Sequence, residues 1–139
     1  MPGAKVFIDT NLWVYAHLRV AGDARHTLAL ARVDSEPAAV ISPQVVAEYY
    51  SVMLRNARPD DWIQSNLRAI FARTRLQPAN AAVLNAALAL RNRYGFSFWD
   101  CQIAAAALVA GCETLLTEDL QHGQVLEERL TIVNPFAEA

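Results

Sequence analysis

Apolar residues follow two rhythms along this chain. Runs of three or four alternate with longer stretches in which apolar positions recur every three or four residues, the first a mark of buried strands and the second of helices. Lys5-Val-Phe-Ile-Asp9 reads as a strand that ends on a carboxylate. Behind it, Thr10 and Asn11 are good N-cap types, and Leu12, Trp13, Tyr15 and Ala16 open a helical pattern. Asp23 is placed to cap a second helix reaching about Ser35, and Ala38-Ala-Val-Ile41 is the next strand candidate. Ser42-Pro43 sets a cap residue and an N1 proline in the preferred order, which predicts a helix to about Ala57. Pro59-Asp60 opens another helix, and Arg75-Leu76 gives a weak strand signal before Pro78. A helical stretch over 79–93 stops at Gly95, and Ser97 caps a further helix that Gly111 ends. Thr114-Leu-Leu-Thr117 and Leu130-Thr-Ile-Val133 supply the last strands.

Short strands separated by helices of roughly ten to fifteen residues predict an α/β fold, a short parallel sheet flanked by helices on both faces. The 139 residues fit a single domain over 1–139, without repeat, linker or low-complexity tract. With 54% hydrophobic and 19% charged residues the composition is globular, so disorder is excluded as the basis of function. No apolar run reaches the roughly 18 residues of a membrane span. MPGAKVFIDT has no charged and apolar leader pattern, so a cytoplasmic location is the expectation. Cys101 and Cys112 have no metal-ligand spacing and make a poor disulfide framework.

Charge gives less guidance. The net charge is −2, and Lys5 is the one lysine among twelve basic residues. Arg55, Arg58, Arg68, Arg73 and Arg75 fall in a stretch holding only two acids, Asp60 and Asp61. Such a run reads first as a solvated helix face, so charge neither demands nor excludes an RNA partner.

Four acids stand out by their apolar neighbours. Asp9 ends a strand, and Glu118-Asp119 follow the strand Thr114–Thr117 directly. Ligands of open α/β sheets sit beyond the carboxyl ends of strands, where strand order reverses. If those two strands are neighbours, the two carboxylates converge; each alone reads equally as a loop acid capping a helix. Glu48 shares helical spacing with Val45, Tyr49 and Val52, an apolar stripe on which an unpaired carboxylate costs several kcal/mol. A salt bridge to a buried Arg is the structural alternative, and Tyr50 and Met53 make the opposite face apolar too, so the spacing leaves the inner face open. Asp100 stands three residues after Ser97, which is also capping-box spacing.

Taken together the four say more than each does alone. Two carboxylates about 4 Å apart repel by roughly 4 kcal/mol at an effective dielectric near 20, so four converging ones need a cation or raised pKa values. Mg²⁺ or Mn²⁺ answers that repulsion with oxygen ligands, and no His or Cys cluster competes for a softer ion. Such ions lower the pKa of bound water and stabilise charge on a phosphoryl oxygen, which points to phosphodiester hydrolysis.

Phe7-Ile-Asp-Thr-Asn11, Glu48 on its helix, Phe98-Trp-Asp-Cys-Gln-Ile103 running into Ala104–Ala107, and Leu116-Thr-Glu-Asp-Leu120 with Gly123 resemble the PIN-domain ribonucleases. The likeness is greatest to the VapC-type toxins of bacterial toxin–antitoxin pairs, and it runs to Val133-Asn-Pro-Phe136. The resemblance implies a three-layer PIN-like domain acting as a metal-dependent endoribonuclease. It implies further that Asp9, Glu48, Asp100 and Asp119 line the Mg²⁺ or Mn²⁺ site, with Asn11 and Thr117 in support. It also implies an RNA substrate, a homodimer, and a cognate antitoxin that inserts near the acidic pocket.

Two other classes compete. A non-catalytic PIN-like module binding RNA or protein has no reason to keep four mutually repelling acids. A phosphoacceptor or phosphatase domain needs a lysine on a later strand, and Lys5 is the only lysine. His17, His26 and His122 are scattered without ligand spacing. Glu118 is expected to point to solvent, and Cys101 to serve as a small packing residue. Trp13, Tyr15, Tyr49, Tyr50, Trp62 and Trp99 read as core or dimer contact before base stacking.

Overall fold

Among the described residues five short parallel strands and one antiparallel edge strand build the sheet; helices fill the first three crossovers, and the antiparallel edge strand lies in the last. In the computed structural model residues 4–137 are described; Met1–Gly3, part of the leader reading, and the last two residues of the 1–139 domain span lie outside them. The elements run β1 (Val6–Ile8), α1 (Thr10–His17), α2 (Arg25–Asp34), β2 (Ala39–Ile41), α3 (Pro43–Arg55), α4 (Asp60–Arg73), β3 (Thr74–Leu76), α5 (Ala81–Tyr94), α6 (Phe98–Val109), β4 (Thr114–Leu116), β5 (Val125–Leu126) and β6 (Leu130–Val133). Strand order is β3-β2-β1-β4-β6-β5, with only the β5–β6 pair antiparallel. The α/β class and the helix-flanked parallel sheet are therefore as the sequence predicts. β5 was not foreseen, because two residues are too few to show a period.

The chain steps from β1 outward through β2 to β3, then crosses back to β4 on the other side of β1. Right-handed crossovers then put α1–α4 on one face and α5–α6 on the other. Packing agrees: α1 lies against α2 and α3, α3 against α4, and α5 against α6. The reversal of strand order falls between β1 and β4, and the carboxyl ends of those two strands flank the crevice it opens.

β1, β2 and most of β4 are buried, as strands covered on both faces must be, and Phe7, Ile8, Ile41, Leu115 and Leu116 are fully enclosed. Trp13 fills the space between α1 and β1 and donates its Nε1–H to Ile8 O at 3.2 Å. Tyr49 is equally buried, its hydroxyl 2.7 Å from His17 Nδ1. These two aromatics are core; Tyr15, Tyr50 and Trp62 are half-buried, and Trp99 is left 68% exposed.

Local chemistry sets the helix ends. Asn80 caps α5 by accepting from Val83 N at 3.1 Å, and Gly95 ends that helix at φ 73, where a residue with a Cβ would be strained. Ser97 caps α6 by accepting from Asp100 N at 3.2 Å. Ser42 holds the N-cap position of α3, yet its hydroxyl makes no capping bond. The cap of α1 is Asp9, not Thr10 or Asn11, because the helix begins immediately after the strand. Among the described residues no helix is long and apolar enough to cross a membrane.

Candidate functional site

Asp9 anchors the carboxyl edge of the sheet. Its N–H donates to Leu116 O at 3.0 Å, which prolongs the β1–β4 ladder, and its extended backbone starts α1. Oδ1 accepts from Thr10 N at 2.7 Å. Oδ2 accepts from Thr117 Oγ1 at 2.8 Å, since the Ile8–Leu116 register continued by one residue sets Thr117 level with Asp9. The Thr117 hydroxyl in turn accepts from Asp119 N at 3.1 Å. One hydrogen-bond chain thus links the Asp119 backbone to the Asp9 carboxylate through a buried threonine.

The electrostatics of Asp9 are unusual. The residue is 5% exposed. Burial pushes its pKa from 3.8 up to about 7; the bonds from Thr117 and Thr10 pull it down, and the charges of Asp119 and Glu48 push it up again. Burial thus favours the protonated form of this carboxyl. Asp119 lies at the exposed rim, where partial burial comes first and the charges of Asp100, Glu118 and Glu48 follow in holding its pKa above the ordinary carboxylate value. Asn11, in the first turn of α1, extends Nδ2 to within 3.4 and 3.3 Å of the two Asp119 oxygens.

Asp9, Glu48, Asp100 and Asp119 thus come from β1, α3, α6 and the loop after β4 to one electrostatic neighbourhood. As placed, among the described residues no three Asp, Glu, His or Cys side chains lie close enough to enclose an ion. The donor chemistry nevertheless fits a hard divalent cation: every contributing group is an oxygen donor, and a cation would relieve the raised pKa of both Asp9 and Asp119. Two hydroxyls beside Asp9, Thr10 Oγ1 and Ser42 Oγ, are also buried without a hydrogen-bond partner. The Phe7–Val40 register continued by two residues sets Ser42 level with Asp9, so the strand ends line up three oxygen-bearing residues, Ser42, Asp9 and Thr117.

The structure answers one question that the spacing left open, the orientation of Glu48, and corrects one expectation, that of Glu118. Glu48 is exposed and does not point into the core; Val45, Tyr49 and Met53 carry the buried stripe of α3, and Glu48 stands at its border facing a groove. Gln44, Ser51, Arg55, Trp99 and Gln102 line that groove with it. Glu118 does not point to solvent: Tyr15 Oη donates to Glu118 Oε1 at 2.6 Å, and Arg25 Nη1 lies 3.8 Å from Oε2. Burial, then the bond to Glu118, raise the Tyr15 pKa to about 12, so the phenol keeps its proton.

The sequence assigned Tyr15 to core or dimer contact and Ser42 to a helix cap, gave neither a place at the site, and offered nothing on Arg25. The one available signal for Tyr15 was its i, i+4 spacing from Asn11, which puts both on one face of α1. For Ser42 only the strand register carries the information.

The sequence matches the PIN domain family over residues 6–126. No curated protein sequence matches it significantly. Among solved structures, the fold is similar to the sarcin–ricin loop cleaving toxin VapC20 of Mycobacterium tuberculosis, at 22% identity and TM-score 0.67 over 82% of this chain and 91% of that one. It is similar as well to a chain of a toxin–antitoxin complex from Klebsiella pneumoniae, at 17% identity and TM-score 0.71 over 94% and 98%. A third likeness is to a chain of VapBC2 from Rickettsia felis, bound to a DNA fragment from their promoter, at 20% identity and TM-score 0.64 over 94% and 99%. At these identities the solved structures speak for the fold. With a family match that spans both β1 and β4, the strands whose ends carry Asp9 and Thr117, the chain belongs to the PIN domain family.

Proposed function

We propose that this chain is a single-domain, metal-dependent endoribonuclease that hydrolyses RNA phosphodiester bonds in the bacterial cytoplasm as the toxin of a toxin–antitoxin pair. The observation that carries the reading is the charge coupling that links Asp9, Glu48, Asp100 and Asp119, brought from four separate parts of the chain, near the strand-order reversal of a PIN domain. The toxins and toxin–antitoxin complexes that share the fold supply its biological side.

In this reading Asp9, Glu48, Asp100 and Asp119 hold Mg²⁺ or Mn²⁺, and Asn11 and Thr117 support them. The bound ion supplies an ionised water and charge stabilisation at the phosphoryl oxygens. Thr117 keeps Asp9 turned to the site and ties the Asp119 backbone to it. Asn11 steadies the Asp119 carboxylate at the rim. Because burial favours the protonated form of Asp9, ion binding must displace a proton from it before it serves as an anionic ligand. The groove that Glu48 borders offers the RNA strand one cation, Arg55, and one exposed indole, Trp99, on which a base can stack.

Cleavage of RNA in Mg²⁺ or Mn²⁺ that is lost in EDTA and lost in Asp119→Asn is the expected result. RNA bound but left intact under all these conditions would replace the enzyme by a binding module.

The same reading includes a cognate antitoxin and a homodimer. Phe98, Leu84 and Leu88 are exposed apolar residues on α5 and α6, and a symmetric contact between two copies would cover part of that surface. Light scattering is expected to give about twice the 15.3 kDa chain mass at micromolar concentration, and more once an antitoxin is added. A monomer mass with full nuclease activity at high micromolar protein would end the dimer proposal and leave the chemistry intact.

A further inference from the structure

Helix α1 grips two successive acids of the loop after β4. Asn11 and Tyr15 stand one turn apart on the same face of the helix. Asn11 reaches Asp119 only at 3.3 to 3.4 Å, whereas Tyr15 Oη donates to Glu118 Oε1 at 2.6 Å. The carboxylate at the rim is therefore held loosely, and its neighbour tightly.

That tight bond belongs to a larger brace. Arg25 Nη1 donates to Tyr15 Oη at 2.7 Å, and its guanidinium lies 4.4 Å over the Tyr15 ring. Asp23 fixes the guanidinium in turn, with Nε at 3.0 Å from Oδ1 and Nη2 at 2.7 Å from Oδ2. The Tyr15 ring stands edge-on to Phe136 at 5.4 Å, and His26 Nδ1 is 2.8 Å from Tyr15 O. α1, α2 and the segment after β6 thus all converge on one phenol.

We propose that Tyr15 and Arg25 are positioning residues, which fix the direction of the Asp119 carboxylate by anchoring Glu118. Consecutive side chains share the peptide plane between them, so pinning Glu118 beside Tyr15 sets the backbone from which Asp119 projects. The Asp119 N–H bond to Thr117 Oγ1 holds the same peptide from the other side. The brace also pairs Glu118 with a cation; its charge is already felt at Asp119, and once released it is a fifth carboxylate free to turn further toward the acids. This inference rests on the reading of Asp119 as an ion ligand.

The test uses the full chain, with Mn²⁺ titration and amide hydrogen exchange in the metal-free protein as its two readouts. Tyr15→Phe keeps the ring against Phe136 and removes only the hydroxyl. Glu118→Gln retains an acceptor for Tyr15, and Glu118→Ala does not. Groups one step behind a metal ligand affect affinity by about ten- to a hundredfold. Tyr15→Phe and Glu118→Ala are each expected to weaken Mn²⁺ binding about tenfold and to speed exchange at the Asp119 amide by a similar factor, with Tm changed by no more than about 2 °C. Glu118→Gln should stay near wild type in both readouts, and Tyr15→Phe combined with Glu118→Ala should do no more than either alone.

Wild-type exchange at Asp119 in Tyr15→Phe would overturn the proposal. So would faster exchange spread equally over β1 and β4, which would assign Tyr15 to general stability. A Glu118→Gln variant as impaired as Glu118→Ala would overturn it too, by attributing the effect to charge instead of the hydrogen bond. If the wild type bound no Mn²⁺ while the Asp119 exchange effects appeared, the ion reading would fall and the anchoring of Asp119 would stand.

Discussion

Asp9→Asn is expected to abolish RNA cleavage and yet leave the metal-free protein more stable than the wild type above pH 7. The folded-state pKa of Asp9 lies at about 7, against 3.8 in an unfolded chain. Between those values the folded protein holds a proton that the unfolded chain has released, so wild-type stability falls as pH rises from about 4 to about 7 and levels off beyond. The full displacement corresponds to on the order of 4 kcal/mol. Asparagine keeps an oxygen for Thr10 N and has no charge to desolvate, so the variant should escape this fall. Its Tm should match the wild type near pH 4 and exceed it by about 12 °C at pH 8, at roughly 3 °C per kcal/mol for a chain of this size. Activity should drop by at least about a thousandfold, because residues that act as one catalytic unit lose most of their effect singly. A variant less stable than wild type at pH 8 would mean that capping α1 is the larger role of Asp9.

Divalent cation should reverse that pH dependence. At a hundred times its dissociation constant, Mn²⁺ adds about 2.7 kcal/mol to folding, a Tm rise of about 8 °C that EDTA removes. Because ion and proton compete for Asp9, the apparent affinity should weaken by up to about tenfold for each pH unit below about 7 and vary little above it. Asp9→Asn should lose both the stabilisation and its pH dependence. Thermal shifts across pH 5.5 to 8.5 with and without Mn²⁺ measure all of this. A Tm indifferent to both Mn²⁺ and EDTA at pH 8 would remove the ion from the proposed function. The opposite signs make the pair of experiments decisive: without metal the buried carboxylate weakens the fold, and with metal the same carboxylate strengthens it.

Much of this architecture is written in local chemistry. Val6–Ile8 and Ala39–Ile41 are legible as strands because both faces of a covered sheet demand apolar residues. The start at Ser97 and the stops at Gly95 and Gly111 follow from backbone groups that need a cap or a positive φ, and these depend on a few adjacent residues. The acids too could be picked out, since Asp9 ends an apolar strand and Glu118-Asp119 follow one directly. What the sequence could not decide is anything that depends on which strands are neighbours. Asp9 meets Thr117 because β1 pairs with β4 across 108 residues, and Ser42 is level with Asp9 only through the β1–β2 register. Glu48 illustrates the same limit from a helix: with apolar residues on both of its faces, the orientation of α3 was fixed by packing against α1 and α4, which left Glu48 at the groove. The capture of Glu118 by Tyr15 and Arg25 went unseen for the same reason. Periodicity and capping act over a few residues, whereas convergence of side chains on one site is set by how the sheet orders its strands.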